Sequence, residues 1–180
     1  MEACPTIKTR QPVYQTNVPY LQTSMITILD QQENTIAEKT YAVFQASYAV
    51  EAEILGAKDF PPLKRAIVDF KNSETSFFGH WIGKELTAVI EIEPSLTAFH
   101  IASMVVHPTY FRQGIGSELL TFIFELFVGN TITVETGLAN IPAIALYKKF
   151  GFKEVDQYDT DHGIRKVRLA IEKATLNIRP

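Results

Sequence analysis

The chain has 180 residues, 46% of them hydrophobic and 21% charged, the balance of one soluble globular domain with a core of ordinary size. A formal net charge of −3 offers no basic surplus for nucleic-acid binding. A single cysteine, Cys4, excludes an intrachain disulfide and a cysteine-based zinc site, and the expected setting is a reducing cytoplasm. The N-terminus pairs no basic region with an apolar block, and the longest apolar run, LLTFIFELFVG, is interrupted by Glu125. Neither a secretory signal nor a membrane span is expected.

Residues 1–24 carry Pro5, Pro12 and Pro19 and read as an extended leader outside a domain of residues 25–180. Met25 to Leu29 suits a first strand. From Gln31 to Leu55, the residues Ala37, Tyr41, Phe44, Tyr48, Ala52 and Leu55 recur every three or four positions. That period predicts an amphipathic helix, whole or broken into two pieces. Phe60-Pro61-Pro62 ends it, and Leu63 to Lys71 predicts a second, short helix.

From Ser76 the period changes to that of strands. SFFGHWI, ELTAVIEIE and AFHIASMVV are separated by Gly83-Lys84 and Pro94-Ser95, connections short enough for an antiparallel meander. Beyond Pro108 and a glycine loop, Ile115, Leu119, Leu120, Ile123, Phe124 and Phe127 line one helical face. TITVET predicts a strand. IPAIALYKKF predicts a helix with Pro142 in its first turn and Gly151 as its stop. FKEVDQY and IRKVRLAIE supply two final strands. The order predicts a mixed α/β protein without repeats.

Between a strand and a helix stands Arg112-Gln113-Gly114-Ile115-Gly116-Ser117. Glycine permits a tight turn and a close approach to the backbone. A helix starting there presents unpaired N–H groups and a partial positive charge, which makes an anion seat. A Walker loop would need Lys and then Ser or Thr after its second glycine, yet Ser117 and Glu118 follow Gly116. A dinucleotide fingerprint would need Gly or Ala where Leu119 stands. A plain turn feeding a helix is the other reading of the loop.

VVHPTYFRQGIGSELL followed by NIPAIALYKKFGF resembles the acetyl-CoA-binding core of the GNAT family, the GCN5-related N-acetyltransferases. The likeness is close over Met104 to Phe152, and the element order fits from about Met25 onward. It implies a mostly antiparallel central sheet of six to seven strands flanked by about four helices. It also implies that the loop amides from Arg112 through Gln113, Gly114, Ile115 and Gly116 to Ser117 hold the diphosphate of coenzyme A. Phe111 occupies the family's Gln/Arg position, so Arg112 takes over that contact or the amides suffice. By the same resemblance, Met104, Val105 and Val106 end the strand that pairs with pantetheine, and Asn140 stands where a coenzyme contact occurs.

The implied activity is direct transfer of acetyl from acetyl-CoA, as co-substrate, to the primary amine of a small molecule or peptide. A non-catalytic acyl-CoA-binding module of the same fold is the alternative. The amine must be neutral to attack, although a lysine-like amine has a pKa near ~10.4. The leaving thiolate, of parent pKa about 8.5, departs more easily when protonated. Tyr147 matches a family tyrosine that protonates sulfur, but Ala143, Leu146 and Phe150 share its helical face, which equally suits a core aromatic. Strand alternation would set His100, Ala102, Met104 and Val106 on one face. Some family members carry two histidines on the matching strand, and His100 would be the first of them. A solvent-facing strand residue is its other reading.

Glu91 and Glu93 share a strand face and suit either proton relay or solvation, and Asp159 and Asp161 form a polar turn able to meet a cationic substrate. His107 reads as a turn residue, and His80 and His162 make no metal spacing with it, so no metal site is expected. Tyr41, Phe44, Tyr48, Phe77, Phe78 and Trp81 divide between core and acceptor pocket. No residue resembles an activated nucleophile, so no acyl-enzyme is expected. A homodimer is compatible with the fold.

Overall fold

A computed structural model describes residues 24–94, 98–126 and 131–172. In chain order it holds strand β1 (Ser24–Ile28), helix α1 (Asn34–Leu55), helix α2 (Ile67–Lys71), strands β2 (Ser76–Ile82), β3 (Glu85–Pro94) and β4 (Ala98–Val106), helix α3 (Ile115–Leu126), strand β5 (Thr131–Gly137), helix α4 (Ile141–Lys149), and the hairpin of β6 (Lys153–Asp159) with β7 (Arg165–Glu172). The predicted leader, Ser24 apart, and Phe127 lie outside the described residues. One sheet runs in the order β1-β2-β3-β4-β5-β7-β6, and only the β4–β5 pairing is parallel. No described helix is long and apolar enough to cross a membrane.

Helix α1 is unbroken, because no glycine or proline falls between Gln31 and Leu55. Gly56, at φ +61°, closes it with N–H bonds to the last-turn carbonyls. The helix expected over Leu63 to Lys71 is instead a 3₁₀ turn at Pro61–Lys64 followed by the five residues of α2. Arg65 between them is extended. Its guanidinium grips Glu91 through two bonds of 2.7 and 2.9 Å and lies 4.0 Å from the Phe70 ring centre. The break in the helix serves this buried fork.

The sheet carries a core on each face. Ile90, Ile92, Ile101, Leu119, Leu120 and Ile123 pack on the side of α3 and α4, while Phe44, Phe70, Phe77, Val89 and Val105 pack on the side of α1 and α2. Phe44 and Phe70 meet edge to face at 4.8 Å, a favoured aromatic geometry.

Two irregularities of β4 create the functional region. It pairs with β5 only from Ala98 to Ile101, opposite Thr131 to Val134; beyond that the two parallel strands part. Against β3, Ser103 faces Glu91 but Ile101 already faces Ile92, so Ala102 is the extra residue of a bulge. The bulge inverts the alternation. Ile101 and Met104 both belong to the α3–α4 face, whereas Ser103 and Val105 look toward α1. The single face expected for His100, Ala102, Met104 and Val106 is therefore corrected: His100 and Met104 point to opposite sides.

Candidate active site

The loop before α3 is held at both ends and open between them. Phe111 N–H bonds the Pro108 carbonyl, and the N–H groups of Ser117 and Glu118 bond the Gly114 carbonyl. Among the described residues, the amides of Arg112, Gln113, Gly114, Ile115 and Gly116 have no acceptor in the protein. Ser117 was expected to join this set, but its amide is spent inside the helix. Positive φ at Arg112 (+63°) and Gly114 (+89°) curls the free amides into a concave nest. The N-terminus of α3 adds its partial positive charge.

The two glycines act differently. A Cβ built on Gly114 meets nothing within 4 Å, so that side of the loop is open. One built on Gly116 would come within 2.9 Å of Leu146, so this glycine lets α3 close on α4. Gln113 turns its side chain back onto the Thr109 carbonyl at 3.2 Å and braces the loop. Glu118, in the first turn of α3, bonds Nε2 of the buried His80 at 3.0 Å. His80 in turn meets Thr87 Oγ1 at 2.6 Å, tying the helix start to β2 and β3.

The parted strand supplies a second row of backbone groups. His107 N–H donates to the Thr87 carbonyl at 2.8 Å, and this sets the phase of the β3–β4 ladder. In an antiparallel pair, bonded and non-bonded residues alternate. Ser103, Val105 and His107 thus bond β3, while Met104 and Val106 turn their N–H and C=O toward the gap left by β5. The Val105 side chain packs into the α1 core.

Two cavities meet in the gap. The first, of about 680 Å³, is lined by Met104, Val106, Phe111, Arg112, Gly114 and Gly116 to Ser117, with Leu146 and Lys149 from α4. The second, about 650 Å³, lies between Tyr48, the Phe60–Pro62 segment, Ser103, Glu135 and the β6–β7 turn. Glu51, Met104, Asn140, Ala143 and Tyr147 line both. A diphosphate-bearing pantetheine ligand fits the first cavity, since free amides, an open glycine and an unpaired strand edge occur along one wall.

Tyr147 packs in the core and lines both cavities. Its ring packs on Phe152 at 5.5 Å within the core and is 4% exposed. Its hydroxyl has no protein partner among the described residues and opens into the cavities. Burial, reinforced by the nearby Glu51 carboxylate, pushes the phenol pKa well above the usual range. The group stays protonated at neutral pH. Asn140 caps α4, its Oδ1 accepting from Ala143 N–H at 3.3 Å, which orients its amide at the junction.

Other candidates are placed elsewhere. His100 sits in the paired part of β4 with Nδ1 2.9 Å from Thr133 Oγ1, and lines neither cavity. Glu91 is 3% exposed and saturated by Arg65 and by Thr75 Oγ1 at 2.7 Å, so it does not reach an acceptor. Ser103 Oγ accepts from Tyr48 Oη at 2.9 Å. Asp159 and Asp161 do line the second cavity.

Glu51 and Glu135 escaped the sequence reading. Glu135 is engaged by Tyr158 Oη at 2.5 Å and by Arg168 at 2.7 Å. These bonds hold its carboxyl below the usual range against the opposing effect of burial. Among the described residues, Glu51 accepts only from Thr136 Oγ1, at 3.3 Å. Its signal was available: Tyr48, Glu51 and Leu55 stand at i, i+3 and i+7, so the helix sets a carboxylate on its inward face.

The model of the Acetyltransferase (GNAT) family matches residues 31–152, and the chain belongs to that family. It is 34% identical over 141 residues to the UPF0157 protein YqkA of Bacillus subtilis, a match covering 78% of this chain and 41% of that relative. The match thus spans less than half the length of this curated relative. The crystal structure of the ribosomal-protein-S18-alanine N-acetyltransferase from Escherichia coli shares the fold, with TM-score 0.66 at 24% identity over 88% of this chain and 100% of its own. So does the PaiA N-acetyltransferase from Thermoplasma acidophilum in complex with coenzyme A, with TM-score 0.65 at 16% identity over 84% and 99% of the two chains.

Proposed function

We propose that the chain transfers acetyl from acetyl-CoA directly to a primary amine while both substrates are bound. One observation carries this reading: a backbone-lined cavity and a carboxylate-bearing cavity meet at Tyr147 and Met104. The relatives support it by family, and a fold neighbour holds coenzyme A.

The free amides of Arg112 to Gly116 bind the diphosphate, with Arg112 adding charge from the rim. Acetyl-CoA supplies the activated acyl group. Met104 N–H, on the open strand edge, is the donor available to polarise the acyl carbonyl. Glu51 holds the incoming amine and takes its proton. Tyr147, kept protonated by its surroundings, gives a proton to the departing sulfur. In balance, the ammonium first releases one proton to solvent; then a C–N bond forms, a C–S bond breaks, a second proton passes from nitrogen to Glu51, and the Tyr147 proton that reaches sulfur is replaced from solvent. His100, on the far face of the bulge, has no part in this scheme. Ser103 is bonded to a tyrosine and lacks a base, so transfer needs no acyl-enzyme.

Tyr147→Phe tests the assignment. The expected result is a fall in kcat of about 100-fold, with coenzyme A affinity retained by calorimetry. An unchanged kcat would remove the acid role. A protein that binds coenzyme A yet acetylates no amine would be a binding module instead.

A further inference from the structure

The acceptor cavity has a distinctive distribution of unpaired charge. Its lining contains four carboxylates, Glu51, Glu135, Asp159 and Asp161, and two permanent cations, Arg65 and Lys166. Arg65 is committed to Glu91, and Lys166 lies 3.8 Å from Glu135. Glu135 is also held by Arg168, and Asp159 by Arg165 at 3.0 Å. His162, also in the lining, is within electrostatic reach of Asp59. Among the described residues, Glu51 and Asp161 alone in this lining have no cationic partner.

These two carboxylates occupy different depths. Glu51 borders both cavities beside Tyr147, whereas Asp161 lies in the exposed β6–β7 turn and borders only the acceptor side. The same lining carries an apolar part, from Phe60, Pro61, Pro62, Ile101 and Ile164, beside polar groups from Ser103, Thr136 and Thr160. Tyr147, buried and with a hydroxyl unpartnered among the described residues, marks the inner end as the place where a ligand group is handled.

From this we infer that the acceptor is an aliphatic diamine or longer polyamine, with one amine at Glu51 and a second, cationic nitrogen at Asp161; the inference rests on the acetyl-transfer reading above. Methylenes match the apolar part of the lining, at Phe60, Pro61, Pro62, Ile101 and Ile164. A terminal amine of pKa near ~10.4 remains charged at neutral pH and supplies the missing partner at the mouth. A free carboxylate on the substrate would face Glu51 or Asp161 without an available cation, so α-amino acids are disfavoured.

The test measures thiol release from acetyl-CoA by the full chain with putrescine, cadaverine and spermidine. The controls are n-butylamine, n-pentylamine, 5-aminopentanol and a short neutral peptide with a free N-terminus. The diamines should exceed the matched monoamines and the amino alcohol by about tenfold or more in kcat/KM, the discrimination expected of one charged hydrogen bond. The advantage should shrink with added salt. Asp161→Asn should bring the diamine-to-monoamine ratio toward one, mainly through KM. Calorimetric titration of cadaverine and n-pentylamine into the CoA-saturated protein should give the same ranking without turnover.

Equal use of 5-aminopentanol and cadaverine, preference for the peptide, or an intact ratio in Asp161→Asn would each overturn the inference while leaving acetyl transfer standing. Retained CoA binding without thiol release for any amine would overturn both.

Discussion

The two cavities that meet at Tyr147 are built from different materials. On the side proposed for the coenzyme the polar groups are main-chain: five amides around Gly114 and the open edge of β4 at Met104 and Val106. On the acceptor side they are side chains drawn from α1, β4, β5 and the β6–β7 turn. A diphosphate needs several donors at fixed spacing, which a curled backbone provides whatever its side chains. An amine must be told apart from other amines, which takes charges and walls that side chains supply. One half thus works through its main chain and the other through its side chains.

Substitutions can break this contrast from either side. Gly114→Val should have the largest effect, a loss of coenzyme A affinity of about 100-fold, or ~2.7 kcal/mol. Its Cβ enters the open side of the nest, and φ +89° disfavours a branched residue. The left-handed strain should cost stability about 1–2 kcal/mol, so thermal melts beside calorimetry separate binding from folding. If affinity survives, the backbone cradle is misplaced.

Glu51→Gln acts on the other half. Loss of the proton acceptor should lower kcat/KM for the amine by about 10- to 100-fold, with little change in coenzyme A affinity. Rate against pH tests this further: the variant's residual rate should depend more steeply on free amine, because no carboxylate takes the proton. Equal losses of amine and coenzyme affinity would show that Glu51 shapes the junction instead of handling protons.

The smallest effect concerns two phenols, Tyr147 on the shared wall and Tyr48 in the second cavity. Burial raises the phenol pKa values of Tyr147 and of Tyr48. Below pH ~10, the ordinary phenol value, both states of the chain keep these protons and the contribution is constant. Above it the unfolded chain releases protons first, so stability should fall by up to about 1.4 kcal/mol per pH unit for each phenol. Melting temperatures from pH 8 to 11 should show that slope, flattened in a Tyr48→Phe, Tyr147→Phe double variant. A double variant with the parent's slope would place the alkaline sensitivity elsewhere.

The same division governs what could be read in advance. The turn before α3 was legible because Arg112 to Ser117 is one local stretch whose glycines, preceding strand and ensuing helix speak together. The family resemblance over Met104 to Phe152 then carried the expected sheet and helices. Glu51 was missed because a lone carboxylate on an amphipathic helix looks like any other charge until the opposing wall is known. Glu91 misled for the converse reason: strand alternation marks a face, but not that Arg65 waits across it.

From order and period alone, the chain determined its strands, most of its helices and the position of the glycine turn before α3, since these depend on neighbours within a few residues. Tertiary structure alone decided three things: the bulge at Ala102 that sends His100 and Met104 to opposite faces, the parting of β4 from β5, and the pairing that leaves Glu51 and Asp161 without cations. Each depends on registry or contact between segments distant in sequence. Local propensity carries no information about which partner arrives.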